Sequence, residues 1–209
     1  AKSLPVQLEK KEDAQDYLSS FYSPNTGRFW DDEYLGSFLS LDNIVNQNSL
    51  FIWNPGCGEG YETYSIAAGL VKENPTAKLK IWASDKDLLA ISNAPNLVFP
   101  ENSVPDTLKN FIVEGKNGYS FNDEIKDRIL FEYHDILHAN AVPEVDIILC
   151  RDLLSFLNPD DQMKILKEFD EKLKSGGILI LGQNEKVPED TFELFDLIEK
   201  PRLKAYSKK

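Results

Sequence analysis

The sequence is poor in several features whose scarcity excludes whole classes of protein. Its 209 residues include two cysteines and two histidines, so neither a disulfide framework nor a zinc site is indicated. No apolar run approaches the about 20 residues that a membrane-spanning helix needs. The opening stretch, AKSLPVQLEKKEDAQ, lacks the apolar core of a signal peptide. We therefore expect a cytoplasmic protein without a membrane-inserted segment.

Positive charge is also scarce. The chain has 23 Lys and Arg residues against 35 Asp and Glu residues, which gives a formal net charge of -12 at pH 7. Phosphate backbones and anionic lipids would repel such a chain, so no nucleic-acid partner is expected. Its hydrophobic content of 42% can supply a real core. Cys57 and Cys150 end apolar strand-like runs, where we expect buried thiols.

Strand-like and helical segments alternate along the chain. The short apolar runs LFIWN, LKIWAS and VDIILC are each followed by a helical pattern, and ILILG is a fourth strand-like run. This order is typical of βαβ units with right-handed crossovers. The sequence therefore predicts an α/β fold around a parallel sheet.

The pattern also predicts how the chain is divided. We expect residues 1–48 to form two N-terminal helices, as a remnant or a connector, and residues 49–209 to form the main domain. Short strand candidates around a Gly-Lys-Asn-Gly turn indicate an inserted β-subdomain at residues 95–126. Residues 190–198 are predicted to form a last helix before a final strand.

A glycine-rich turn carries the first indication of a ligand. Gly56, Gly58 and Gly60 follow a buried strand and open a helix, so the backbone there can approach a ligand closely. Asp85 ends the next strand, where an acid accepts hydrogen bonds from ribose hydroxyls, and Asp135 follows a third strand, near where an adenine edge would lie. The alternatives are a plain strand-to-helix turn for the glycines and a helix N-cap for Asp85. The turn lacks the Lys-Ser/Thr of a phosphate-binding loop and fits the dinucleotide fingerprint poorly, which leaves S-adenosylmethionine (SAM) as the expected ligand.

Five segments, in order, resemble the chemotaxis receptor glutamate methyltransferases (the CheR family). IWNPGCGEGYETYSIA is similar to the family's SAM loop, IWASDKDLLAISNA to its ribose-binding strand, and VDIILCRDLLSFLNPDDQMKIL to its cysteine-arginine-asparagine strand end. LKSGGILILGQNE resembles its closing strand and turn, and FIVEGKNGYSFNDEIKDRILF its small receptor-docking β-subdomain. The resemblance covers roughly residues 20–207.

The resemblance implies a fold, a cofactor and partners. The fold is a Rossmann-like class I SAM methyltransferase, whose mostly parallel seven-stranded sheet has strand order 3-2-1-4-5-7-6 and carries a small inserted antiparallel β-subdomain. The cofactor is SAM or S-adenosylhomocysteine, and the partners are chemoreceptors or other chemotaxis array proteins. The cofactor-binding positions that follow are Thr26, Gly56, Gly58, Gly60, Glu62, Asp85 and Asp135. No metal site is implied.

Several positions depart from the family's pattern. Aligned on Thr26 in TGRFW, Trp30 stands where the family has its active-site arginine, with Arg28 two places away. Asp152 stands at the family's asparagine and Phe156 at its tyrosine. Tyr61 stands at the first acid of the family's G-E-E-P stretch, and Arg151 is retained, either in a site role or a structural one. Trp30 and Phe156 are expected to face the methyl-accepting side of the pocket.

Chemistry indicates what these departures cost. A glutamate carboxylate is already anionic near neutral pH, so an enzyme assists mainly by positioning it. A hydrogen bond to a charged group contributes about 1.5 to 3 kcal/mol, so the loss of an arginine and a tyrosine hydroxyl removes on the order of 10² to 10⁴ in rate. An aspartate near the acceptor adds repulsion.

Two functions follow from these observations. The leading hypothesis is a CheR-like domain with an impaired active site and weak or lost cofactor affinity, acting as an interaction or structural module of the chemoreceptor array. The alternative is an active SAM-dependent protein-glutamate O-methyltransferase in which the departures are ordinary drift. Only 25 residues precede Thr26, where the family has a helical domain, so we expect either a fragment of a longer protein or the loss of that domain.

Overall fold

The computed structural model describes residues 22–42, 44–191 and 193–209. In these residues the strands are β1 (Ser49–Pro55), β2 (Lys78–Asp85), β3 (Ile112–Gly115), β4 (Gly118–Phe121), β5 (Ile129–Tyr133), β6 (Val145–Cys150), β7 (Leu173–Leu181), β8 (Phe195–Lys200) and β9 (Leu203–Lys208). The α-helices are α1 (Asp32–Leu39), α2 (Tyr61–Glu73), α3 (Leu88–Asn93), α4 (Asp123–Lys126) and α5 (Pro159–Lys172). Short 3-10 turns occur at Ala94–Asn96, Glu101–Ser103, Asp106–Phe111, Leu154–Phe156 and Glu189–Thr191. No helix in this part of the chain is long and apolar enough to cross a membrane.

Seven strands form the central sheet in the order β5-β2-β1-β6-β7-β9-β8. The first five are parallel, and β9 runs antiparallel to both β7 and β8. Counted in chain order within this sheet alone, the order is 3-2-1-4-5-7-6. Strands β3 and β4 form a separate antiparallel hairpin. The predicted α/β class, the strand order and the small antiparallel sheet are confirmed.

Hydrophobic cores cover both faces of the sheet, as parallel strands require. Successive side chains of a strand point to opposite faces, and β1 shows the result: Ile52 belongs to one core cluster and Trp53 to the other. The hairpin joins the first cluster through Phe121, whose ring stacks on Tyr64 of α2 with centroids 4.9 Å apart. The carboxyl ends of the parallel strands therefore lie together at one edge of a sheet that is packed on both faces.

The described part of the N-terminal segment packs into the same core. Asp31 caps α1 by accepting a hydrogen bond from the backbone N–H of Tyr34. Trp30, Tyr34 and Phe38 are buried in the cluster that also contains Ile52. The first predicted N-terminal helix lies outside the described residues.

The predicted helix at residues 190–198 is wrong. A 3-10 turn at Glu189–Thr191 is followed by β8, which pairs antiparallel with β9. Phe195 is buried whereas Leu197 is exposed. Pairing with β9, which follows after a two-residue turn and is itself paired with β7, satisfies the backbone of this stretch and overrides the helical pattern.

Candidate cofactor-binding cleft

A cleft of about 660 Å³ lies above the carboxyl ends of the parallel strands. Its volume is within the range of about 300 to 1,000 Å³ that is usual for small-molecule sites. Of the predicted cofactor-binding residues, six line it: Thr26, Gly56, Gly58, Glu62, Asp85 and Asp135. Gly60 does not, although it belongs to the same turn. The structure thus brings together side chains that stand up to 109 positions apart in the sequence.

The glycine-rich turn needs all three glycines, for different reasons. Each has a positive φ, +72° at Gly56, +54° at Gly58 and +89° at Gly60, a region that side chains with a Cβ rarely adopt. A Cβ on Gly56 would meet Leu153, and one on Gly60 would meet the Phe131 ring at 2.9 Å, whereas one on Gly58 would meet nothing within 4 Å. Gly58 is therefore the glycine with open space beside it, and Gly60 serves packing.

Asp85 holds this turn from the end of β2. One carboxylate oxygen accepts from the Gly58 N–H at 2.7 Å and the other from the Asp87 N–H at 2.9 Å. The N-cap of α3 is Asp87, so the alternative in which Asp85 caps the helix is wrong. A carboxylate has about four lone-pair sites, which leaves acceptor capacity on Asp85 for ligand hydroxyls.

Glu62 and Arg151 form a buried ion pair on the opposite side of the cleft. Arg151 Nη1 donates to Glu62 Oε2 at 2.9 Å, and Asn54 Nδ2 donates to Glu62 Oε1 at 3.1 Å. Burial raises the pKa of Glu62, and the Arg151 charge opposes that rise. Burial alone would lower the pKa of Arg151, but Glu62 and other neighbours outweigh it and the pKa is raised. Each charge thus favours the ionised form of the other.

Arg151 has little left to offer a ligand. Its side chain is 0% exposed, and its Nη2 donates to the Pro24 carbonyl at 2.7 Å. Its guanidinium lies 4.9 Å from the ring centroid of Tyr34 and 5.5 Å from that of Trp30. Two nitrogens of the guanidinium are thus engaged by the protein, while its buried Nε has no hydrogen-bond partner among the described residues.

Trp30 does not face the cleft, so that expectation is wrong. The residue is 0% exposed, it is not part of the lining, and its ring packs edge-on against Tyr34 at 4.6 Å. Its backbone N–H donates to Ser65 Oγ of α2 at 3.1 Å, and its indole ring is turned inward, where burial of a large aromatic surface is favourable. The buried indole Nε1 has no hydrogen-bond partner among the described residues. Arg28 is exposed and also lies outside the lining.

The other altered positions do line the cleft. Asp152 directly follows Arg151, and its carboxylate accepts hydrogen bonds from Ser23 and Thr26. Phe156 is 53% exposed, and its ring lies 5.8 Å from that of Tyr22. Tyr61 packs edge-on against Phe29 at 4.9 Å and also borders the cleft. These aromatic rings add apolar surface to a lining that also contains the charged Asp152 and Arg151.

The role of Glu185 was not predicted from the sequence. This buried carboxylate accepts from the backbone N–H groups of Asp152 and Gly182, both at 2.9 Å, and of Ser155 at 3.0 Å. An acid just after an apolar strand was the available signal, in GQNE. Cys57 and Cys150 are buried as predicted. Among the described residues, no group of three or more His, Cys, Asp and Glu side chains could hold a metal ion.

The residues of the cleft fit SAM. Gly58 leaves room for close approach, Asp85 retains acceptor capacity for ribose hydroxyls, and Asp135 lines the same cleft. When bound, SAM supplies an activated methyl group. The chain's own residues would hold the nucleoside at the β2 side of the cleft and leave the Arg151 to Phe156 side for an acceptor.

Comparison with known proteins gives the same cofactor class. The family model "CheR methyltransferase, SAM binding domain" matches residues 25–203. The chemotaxis protein methyltransferase 2 of Vibrio cholerae is 29% identical over 161 residues, which are 70% of this chain and 56% of that protein. A chemotaxis protein methyltransferase of Listeria innocua is 23% identical over 146 residues, 68% of this chain and 56% of that protein.

Relatives also differ from this chain in length. An uncharacterized 104.1 kDa protein of Rhodobacter capsulatus is 27% identical over 157 residues, 69% of this chain but 16% of that protein. The chain spans little more than half the length of the two chemotaxis methyltransferases it matches above.

A solved structure from Methanococcus maripaludis, assigned as an S-adenosyl-L-methionine-dependent methyltransferase, matches 100% of this chain with a TM-score of 0.50 and 11% identity. That likeness supports the Rossmann-like fold alone.

Proposed function

The chain belongs to the CheR methyltransferase family, and from that premise we propose that it is a SAM-binding domain of chemotaxis signalling with strongly reduced methyl transfer to receptor glutamate. SAM or S-adenosylhomocysteine is the cofactor of the domain. The proposed acceptor and the impairment are argued from the residues of the cleft, and the partners from family membership and the β3–β4 hairpin.

One observation carries the proposal: the acceptor side of the cleft has no available arginine. Arg151 is the one arginine of the described lining; its Nη1 and Nη2 already donate to Glu62 and to the Pro24 carbonyl, and its side chain, including the unpartnered Nε, is fully buried. Lys86, the other strong cation of the lining, follows Asp85 at the ribose side. A glutamate carboxylate would therefore meet no free strong cation at the acceptor end.

The missing hydroxyl at position 156 adds to this effect. Phe156 lies at the mouth of the cleft and cannot donate a hydrogen bond to a carboxylate. Two lost donors to a charged group correspond to about 3 to 6 kcal/mol, or on the order of 10² to 10⁴ in rate. Binding of SAM does not depend on either group, so the domain retains its cofactor site.

Partners follow from family membership and from the β3–β4 hairpin. The proposed partner is a chemoreceptor or another protein of the receptor array, for which the domain serves as an interaction or structural module. Val113 on β3 is exposed, and a hairpin with a free edge can pair with an extended peptide.

The test separates cofactor binding from transfer. Calorimetric titration with SAM and S-adenosylhomocysteine should give saturable binding, whereas incubation with methyl-labelled SAM and receptor membranes should give less than about 1% of the rate of an active chemotaxis methyltransferase run in parallel. Phe156→Tyr should raise the transfer rate above that of the wild type, because it restores one donor. Transfer by the wild type at the rate of the active enzyme would establish the alternative, a working glutamate methyltransferase.

A further inference from the structure

One wall of the cleft is formed by residues 22–27, which we name the strap. Tyr22, Thr26 and Gly27 of the strap line the cleft next to Phe156. The strap runs past the carboxyl end of β6, whereas its own residues precede α1 in the sequence. Its position over the cleft therefore depends on contacts that are distant in sequence.

Asp152 supplies most of these contacts. Its carboxylate accepts from the Ser23 N–H at 3.1 Å, from Ser23 Oγ at 2.6 Å and from Thr26 Oγ1. The neighbouring Arg151 adds a hydrogen bond to the Pro24 carbonyl at 2.7 Å. Two consecutive residues at the end of β6 thus fasten both the polar side chains and the backbone of the strap.

The backbone at Asp152 is unusual and is itself supported. Its φ is +55°, a left-handed conformation that Asp and Asn adopt more readily than other residues with a Cβ. Glu185 holds this turn through the N–H groups of Asp152, Ser155 and Gly182. The carboxylate of Asp152 is therefore aimed at the strap by a buried network rather than by chance packing.

The end of β7 closes the same junction. Ser23 Oγ accepts from the Gln183 N–H at 2.7 Å. A Cβ on Gly182 would come within 2.7 Å of Ser23 Oγ and would also collide with the Asp152 carboxylate. Glycine at 182 is thus needed for the strap to approach this closely.

We infer that Asp152 is a positioning residue that fastens the strap over the acceptor end of the cleft, with Glu185 fixing the turn from which it acts. The inference deepens the proposed function and rests on it, because the cleft is the proposed SAM site. Asparagine, the residue of the resembled family at this position, can make equivalent contacts: its amide oxygen accepts from Ser23 and its NH₂ donates to the Thr26 hydroxyl, which can also accept. The exchange of Asn for Asp therefore preserves the contacts that hold the strap.

Amide hydrogen exchange of the ligand-free protein, followed by NMR, tests the fastening directly. Thr26→Val removes one hydroxyl that donates to Asp152, and Thr107→Val is the matched control because the Thr107 hydroxyl donates to the carboxylate of Asp32, outside the lining of the cleft. We expect exchange at the Ser23 and Thr26 amides, which donate to Asp152 and to the Ser23 carbonyl, to accelerate by about tenfold or more in Thr26→Val, as the loss of a hydrogen bond to a charged group implies. In Thr107→Val exchange at these amides should match the wild type.

A second comparison uses Asp152 itself. Asp152→Ala should accelerate exchange in the strap and weaken SAM binding, whereas Asp152→Asn should stay within about threefold of the wild type in both measurements. A residue with a merely general role in stability would not show this rescue. The inference is overturned if strap amides exchange equally fast in Thr26→Val and Thr107→Val, or if Asp152→Asn behaves like Asp152→Ala.

The two proposals fail in different ways. Absence of SAM binding by the wild type would remove the proposed function, while exchange in the ligand-free strap would still decide the role of Asp152. If Asp152→Ala does not fold, the two threonine variants decide the question, since Thr26 is only partly buried and its variant retains the side-chain shape.

Discussion

Trp30→Arg would restore the residue type that the resembled family has at this position, yet we expect it to disrupt the fold. Trp30 is fully buried between α1 and α2, with its ring against Tyr34 and the guanidinium of Arg151 5.5 Å from its centroid. An arginine placed there would enter the hydrophobic core rather than the cleft. It would also stand beside a buried cation.

The magnitude follows from three contributions. Loss of the buried indole costs about 3 to 5 kcal/mol by comparison with truncation of large aromatics. Two unit charges 5.5 Å apart repel each other by about 3 kcal/mol at an effective dielectric constant of 20. Desolvation of an unpaired guanidinium adds several kcal/mol more. Together these approach or exceed the total stability of about 5 to 15 kcal/mol of a typical domain.

Urea unfolding followed by far-ultraviolet circular dichroism provides the assay. Trp30→Arg should be largely unfolded or have a much lower midpoint, and Trp30→Phe should lose about 1 to 3 kcal/mol. Phe156→Arg is the matched control, because it places the same charge on an exposed aromatic position and should change stability by less than about 0.5 kcal/mol. A Trp30→Arg protein with the wild-type midpoint would show that the side chain at position 30 points into the cleft, and the reasoning above would be refuted.

Two further predictions concern the carboxylates of the cleft. Asp85→Ala should weaken SAM binding by at least about tenfold in calorimetry, because it removes both a charged acceptor and the contact to Gly58. Asp87→Ala is the control: it removes the cap of α3 and should lower stability by about 1 kcal/mol without changing SAM affinity. Equal SAM affinity in both variants would contradict the site. Burial raises the pKa of Glu62 above its ordinary value of 4.5. Between these two pKa values the folded state therefore binds more protons than the unfolded state. The contribution of Glu62 to stability should thus decrease as pH rises from about 4.5 toward the raised pKa. Urea unfolding of the wild type and of Glu62→Gln across this window checks the sign. The free energy of unfolding of the wild type should fall relative to that of the variant as pH rises, and a rise relative to the variant would contradict the prediction.

The sequence determined the sheet and the location of the cofactor site. The runs LFIWN, LKIWAS, VDIILC and ILILG are apolar on both faces, and such runs are stable only between two covered faces of a parallel sheet. Gly56 and Gly58 have the positive φ that a turn of this kind requires, so their residue type already indicated the backbone. Asp85 follows from strand order, because the carboxyl ends of neighbouring parallel strands meet at one edge.

Tertiary structure alone decided the acceptor side. Asp152 and Ser23 are 129 residues apart, and Arg151 and Glu62 are 89 apart, so no local pattern shows that these side chains are already paired. The direction of Trp30 depends on the packing of α1 against α2, since an indole is equally compatible with a pocket and a core. Residues 195–200 became a strand because β9 was available to pair with them. Local residue preferences fix short-range geometry, whereas the partner of a buried charge or of an edge strand is set by contacts that exist only in the folded chain.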